Sequence, residues 1–283
     1  MTAVAAVGVS QRGFELDLRA VKIVVQRDLI RTFQDRTRFV STLVQPLLFL
    51  FVLGAGLSSL TRGSTGSIDL RTFMFPGVLA TSTLFTAVFS AISIVWDREF
   101  GFLREMLVAP VRRSSIIIGK ALGGATVSTL QGAIVLALAP VVHVPLTPGL
   151  AITLLAEVFL LSLTLTALGL AIVARIQQVQ TVMGIMQVLI MPLSFLSGAL
   201  YPLSGLPGWL SVAVRVNPLT YAVHPIRTAV FRHLYLRPDV AARLNPPITW
   251  GSWVVPTWAQ LLLVSGIGCL LLAIAVVQFQ RVE

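Results

Sequence analysis

Trp96 to Lys120, WDREFGFLREMLVAPVRRSSIIIGK, is a charged island between two long apolar stretches. The runs on either side reach the ~20 residues that carry a helix across a bilayer. Eight charged residues gathered into so short a block belong in water or against partners of opposite charge. A chain built this way is restricted to membrane-crossing helices joined by short polar segments. In hydrocarbon, every backbone N–H and C=O must be paired within the protein.

Composition supports the same class. The chain has 283 residues, of which 56% are hydrophobic and 11% charged, against roughly 25% charged in ordinary soluble domains. The net charge of +10 would suit nucleic acid if it lay on one soluble domain. The basic residues sit mainly between spans instead, as the positive-inside bias of membrane proteins requires, and no nucleic-acid partner is expected. Cys269 is the single cysteine, which excludes an intramolecular disulfide and a cysteine-based metal site. The first apolar run begins near Phe39 without an A-x-A-like site after it, so no signal peptide is expected.

Two regions are expected: an N-terminal tail with an amphipathic helix over 1–38, and a transmembrane domain over 39–283. Residues 1–13 read as disordered. Over 14–38, Leu18, Val21, Val25, Leu29 and Phe33 recur at steps of three and four, with Arg27 and Arg31 opposite, the pattern of an interfacial helix. Six spans are predicted near 39–60, 73–95, 119–142, 150–173, 181–200 and 256–279. Charge counts over the connecting segments favour both termini in the cytoplasm. Segment 201–231, YPLSGLPGWLSVAVRVNPLTYAVHPIRTAVF, is too apolar for a free loop and too proline-broken for a span. It reads as a re-entrant helical hairpin at the outer side, with Pro207 and Pro218 in first turns and Asn217 as an N-cap. Trp250, Trp253 and Trp258 mark the outer interface.

Familiar catalytic patterns are missing. There is no G-x-x-x-x-G-K-[ST] loop, since Ala121 follows Gly119-Lys120 and Ser114 stands where the first glycine is needed. His143, His224 and His233 are scattered, without H-E-x-x-H, and no G-x-S-x-G occurs. The chain therefore reads as a non-enzyme binding no cofactor of its own; if ATP drives it, ATP and Mg belong to another chain.

In the island, Asp97 is placed to cap a helix from Arg98 that carries Phe100, Leu103 and Leu107 on one face and ends at Pro110. Such a helix suits a groove on a soluble partner, its charges setting register. The competing reading is a solvated loop whose arginines enforce topology.

Asp97-Arg98-Glu99, Gly101, the LREMLVAPVRR run and Gly119-Lys120 resemble the D-R-E-x-G…L-x-P-V-x-R…G-K block of ABC-2-type, daunorubicin-resistance-like transport permeases. Phe102 stands where that pattern often has a small residue. YPLSGLP at 201–207, NPLTY at 217–221 and Arg227 resemble the same family's re-entrant hairpin. The resemblance implies an all-α polytopic membrane protein with six spans, an N-terminal connecting helix, a cytoplasmic coupling helix over 97–107 and an outer hairpin. It implies coupling to a P-loop ATPase subunit through Asp97, Arg98, Glu99, Phe100, Gly101, Leu103, Arg104 and Glu105, with Arg27 and Arg31 of the connecting helix. It implies an outer gate at Pro202, Gly205, Pro207, Asn217, Pro218, Tyr221 and Arg227. It further implies a second permease copy, identical or not, and ATP-driven export of a hydrophobic or amphipathic compound from a bacterial cell. A saccharide exporter of the same superfamily is the near alternative.

Glu157, inside the fourth span, has two readings: a proton or substrate-cation site, or a carboxylate paired locally near the interface. The first would make the chain a proton-coupled secondary transporter. A membrane anchor that recruits a soluble protein through the island is the third class of function.

Overall fold

The computed structural model describes residues 14–56, 69–108, 111–234 and 238–282. Residues 1–13 and Pro110, for which disorder and a helix stop are expected, lie outside these. The described chain is almost wholly helical. Three helices are long and apolar enough to cross a membrane: Leu70–Glu99, Pro148–Val173 and Thr257–Arg281. Leu43–Gly56 and Val179–Phe195 are apolar and shorter.

In chain order, α1 is Phe14–Gln34, α2 is Arg36–Leu47 and α3 is Gly54–Gly56, with a π-helical stretch Leu48–Leu53 joining the last two. The first helix thus stops at Gln34 and not at Arg38. The apolar period of 14–38 runs on without a Gly or Pro, so nothing in the local pattern marks this break. Pro46 lies in α2 just before the π-helical stretch, where its missing N–H loosens the ladder.

The long second span divides at Ala91 into α4, Leu70–Ser90, and α5, Ile92–Glu99. α6 is Phe102–Val108, α7 Arg113–Ala137, α8 Pro148–Val173 and α9 Val179–Phe195. α10, Gly208–Val216, and α11, Thr220–His233, occupy the segment expected as the hairpin; α12 is Pro238–Leu244. A two-stranded ribbon, Thr249–Trp250 with Trp253–Val254, turns at Gly251 and leads into α13, Thr257–Val282.

α4, α7 and α8 pack mutually as the core, α13 lies along α8, and α1 lies along α7. α7 is long enough to span, yet it carries Lys120, Gln131 and several Gly, Ser and Thr residues. Its small residues admit neighbours closely, as in other membrane bundles. A Cβ at Gly119 would come 2.9 Å from Val24 Cβ, and one at Gly132 would come 2.8 Å from a Val158 methyl. α1 rests on Gly119 and Gly123 through Val21, Val24 and Asp28. Leu18 and Phe33, from its expected apolar stripe, are exposed on the far side.

Candidate functional site

The charged island folds onto the ends of the helices around it. Asp97 lies inside α5 and caps no helix start; the expected 97–107 helix is divided at Phe100 and Gly101. Gly101 has φ 80°, a left-handed conformation glycine adopts without a Cβ penalty, and α6 starts anew at Phe102.

Asp97 is 3% exposed, and its Oδ2 meets Arg27 Nη2 at 2.6 Å and Lys120 Nζ at 2.7 Å. Lys120, buried in α7, also donates to Asp28 Oδ1 at 3.2 Å and Ser93 Oγ at 3.1 Å. An ammonium has three donors, and here three acceptors surround it. Arg27 reaches Asp28 at 3.5 Å and Met106 Sδ at 3.6 Å. Two acids and two bases therefore join α1, α5 and α7 in one neutral cluster, with α6 touching it through Met106. Buried charges are tolerated when paired in this way.

Arg98 donates to the carbonyls of Ile176 at 2.6 Å and Ala174 at 3.1 Å, beyond the C-terminus of α8. Glu99 Oε2 accepts from Val179 N, the first N–H of α9, at 3.3 Å. Arg113 donates to the Gln280 carbonyl near the end of α13 at 3.3 Å. Asp17 Oδ1 accepts from Arg112 N and Ser115 Oγ, each at 3.0 Å, at the start of α7. Each charge has the sign that its helix terminus favours. Arg31 lies over the Trp96 ring, its guanidinium carbon 5.0 Å from the centroid, a cation–π pair.

Two aromatics are exposed at the α5–α6 corner, beside the exposed charges of Glu99, Arg112 and Arg113. Phe100 is 71% exposed and Phe102 55%, while Leu103, expected on the outward ridge, is buried. The side chains of Arg104, Glu105 and Leu107 are outside the described set.

The hairpin occupies the opposite end of the bundle, since α4 and α5 run from Phe73 beneath it to Asp97, about 36 Å at ~1.5 Å per residue. Arg227 is 1% exposed. Its Nη2 donates to the carbonyls of Gly198 at 2.8 Å and Ala199 at 3.0 Å, and its guanidinium carbon stands 4.6 Å from the Phe73 ring centroid. Asn217 Nδ2 donates to Leu193 O at 2.8 Å, and its Oδ1 accepts from Leu219 N at 3.0 Å. One side chain thus ties the end of α9 to the turn before α11, which starts at Thr220, three residues after Asn217. Tyr221 donates to the Arg215 carbonyl at 2.8 Å and accepts from Trp250 Nε1 at 2.7 Å. Gly205 has φ 72°. Pro202 lies in the turn ahead of it, Pro207 caps α10, and Pro218 sits in the bend between α10 and α11.

A family model described as ABC-2 type transporter matches residues 19–231, a stretch that takes in both of these ends. The chain belongs to the ABC-2 type transporter family. Relatives of this ABC-2 chain include a putative transport permease ycf38 of Cyanophora paradoxa, 30% identical over 72% of each chain. A probable multidrug ABC transporter permease, YbhR of Escherichia coli, is 30% identical over 60% of this chain and 45% of its own. A probable doxorubicin resistance ABC transporter permease protein, DrrC of Mycobacterium tuberculosis, is 26% identical over 77% of this chain and 79% of its own. This ABC-2 protein is thus a membrane permease subunit of an ABC transporter.

In this permease Glu157 is 8% exposed, within α8, and its Oε2 has no hydrogen-bond partner among the described residues. Lys120, Asp28, Ser93 and Asp17 were not expected at the site. Lys120 was the legible one, as a lysine inside a predicted span and one of only two in the chain. Such a residue needs a buried carboxylate.

Proposed function

We propose that this permease exports a hydrophobic or amphipathic compound, drug-like or lipid-like, across a bacterial cytoplasmic membrane. A separate P-loop ATPase subunit binds ATP and Mg and supplies the work. A second permease copy, most simply identical, completes the pathway across a two-fold interface. The chain crosses the membrane six times with both termini in the cytoplasm, the three longest helices being joined by α7 and the shorter apolar helices around 43–56 and 179–195.

The observation that carries this reading is the division of labour in the island. Among its described side chains, Asp97 and Lys120 pair in the buried cluster, Arg98, Glu99 and Arg113 meet helix ends, and Phe100 and Phe102 project at the α5–α6 corner. An aromatic pair on a corner braced to α1, α7, α8 and α9 suits an apolar groove on a soluble partner. Motion of that partner would reach four helices through Asp97, Arg98 and Glu99. Substrate affinity must differ between inward-open and outward-open states for the cycle to do transport work. The hairpin, latched by Arg227 and Asn217, is the exit gate. The names of the multidrug and doxorubicin-resistance relatives support a drug-like cargo.

Inside-out vesicles from cells co-expressing this chain with its ATPase test the reading. ATP-dependent accumulation of a fluorescent amphiphile, abolished by vanadate, is expected. Uptake driven by a pH gradient without ATP and lost in Glu157→Gln would establish the secondary transporter instead.

A further inference from the structure

A cavity of about 580 Å³ opens within one permease chain, between α1, α2, α4, α5 and α7, with Met183 of α9 at its edge. Its size falls in the range of ordinary small-molecule sites. One wall is a stripe of rings. Phe85 and Phe89 line it from adjacent turns of α4, and Trp96 from two turns further on in α5, spacings of four and seven that keep one helix face. The stripe is about 16 Å long at ~1.5 Å per residue.

The two ends of the cavity are polar. At one end Thr86 donates to the Oε1 of Gln131, a buried side chain of α7, and Ser90 lies beside them. Toward the other end, Asp28, Arg31 and Thr32 of α1 line it, and Arg31 lies over Trp96. Gly124 matters to this shape: a Cβ there would come 2.2 Å from Ser90 Oγ.

We propose that this cavity is a loading site, within a single protomer, for planar multi-ring amphiphiles. Rings stack on Phe85, Phe89 and Trp96, and polar substituents meet the Thr86–Gln131 pair at one end and the α1 side chains at the other. An acyl chain fits less well, because its terminus would abut polar side chains and offer them no hydrogen bond. Because Asp28 both lines the cavity and pairs with Lys120, the site and the charge cluster share α1, and a partner that shifts α1 reshapes the site. The inference rests on the export reading above for the fate of the bound molecule, but not for binding itself.

The test uses the full chain in nanodiscs. Cys269, which is exposed, is replaced by Ala, and Ser90→Cys, a near-isosteric change, places one thiol in the cavity. N-ethylmaleimide labelling is timed with and without Hoechst 33342, ethidium or 1-anilinonaphthalene-8-sulfonate. At least one dye slows Ser90→Cys labelling by roughly tenfold at about ten times its Kd. Thr181→Cys, exposed outside the cavity, is unaffected, and Phe85→Ala/Phe89→Ala removes the protection. No protection by any of the three, or equal slowing at Thr181→Cys, overturns the proposal. Vesicle pumping of the same dyes is scored separately: pumping without protection leaves the export reading standing and removes this site.

Discussion

Both ends of this permease hold cations inside the protein, but they satisfy them differently: carboxylates at one end, backbone carbonyls at the other. At the island end, Lys120 and Arg27 share Asp97 and Asp28, so four side chains from three helices balance. At the hairpin end, Arg227 has two carbonyls and the face of Phe73. A shared network can exchange partners when helices move, because each charge keeps a second neighbour. A single cation on two carbonyls holds one geometry or none. The first arrangement suits a region that transmits motion; the second suits a latch with a closed and a released state.

The largest expected effect comes from breaking the network on one side. Lys120→Met leaves Asp97 and Asp28 with Arg27 alone and costs about 3–5 kcal/mol. It is read as a large fall in the unfolding temperature in nanodiscs. Adding Asp97→Asn to Lys120→Met recovers much of that loss. A double variant no better than the single would show that Asp97 and Lys120 are not coupled.

Arg227→Gln comes next. It gives up the cation–π contact and strains the pairing of the Gly198 and Ala199 carbonyls, for about 2–3 kcal/mol. Arg227→Lys recovers part of this, since charge remains while the planar fork is lost. Full recovery by Lys would mean that charge alone, and not the two-carbonyl geometry, holds the hairpin.

Gly77→Ala tests the same latch from α4. Its Cβ would sit 1.8 Å from the Ala199 carbonyl oxygen, so the hairpin must shift, at about 1–3 kcal/mol. The expected sign is greater protease access to 198–207, with the island end unchanged.

The smallest effect belongs to Glu99→Ala. It removes one exposed cap from α9, for about 0.5–1 kcal/mol, measured by the same unfolding assay.

The contrast also shows what a sequence discloses. The membrane class was legible in the apolar runs, the family in D-R-E and in the 201–227 block, and the break into short helices after Leu200 in its prolines. The start of α1 at Phe14 was legible from periodicity. Its end was not, because Asp35 offers no stronger stop than its neighbours. The inward use of Asp97 was hidden for a different reason. Its partners stand 70 and 23 residues away, and local pattern cannot report a pair made by helix packing. Leu103 was misplaced because a helix drawn through Gly101 carries its face forward unbroken, whereas the left-handed glycine restarts the face at Phe102.

The central claim is that the island's charges hold the permease together while its outward aromatics engage the ATPase. The direct measurement is ATP hydrolysis by the assembled complex in nanodiscs, comparing native permease with Phe100→Asp/Phe102→Asp, and recording permease unfolding temperature alongside. The account predicts an unchanged unfolding temperature with permease-dependent hydrolysis and co-purification of the ATPase lost. Unchanged hydrolysis with the ATPase still bound would contradict it, and would move the docking surface away from the α5–α6 corner.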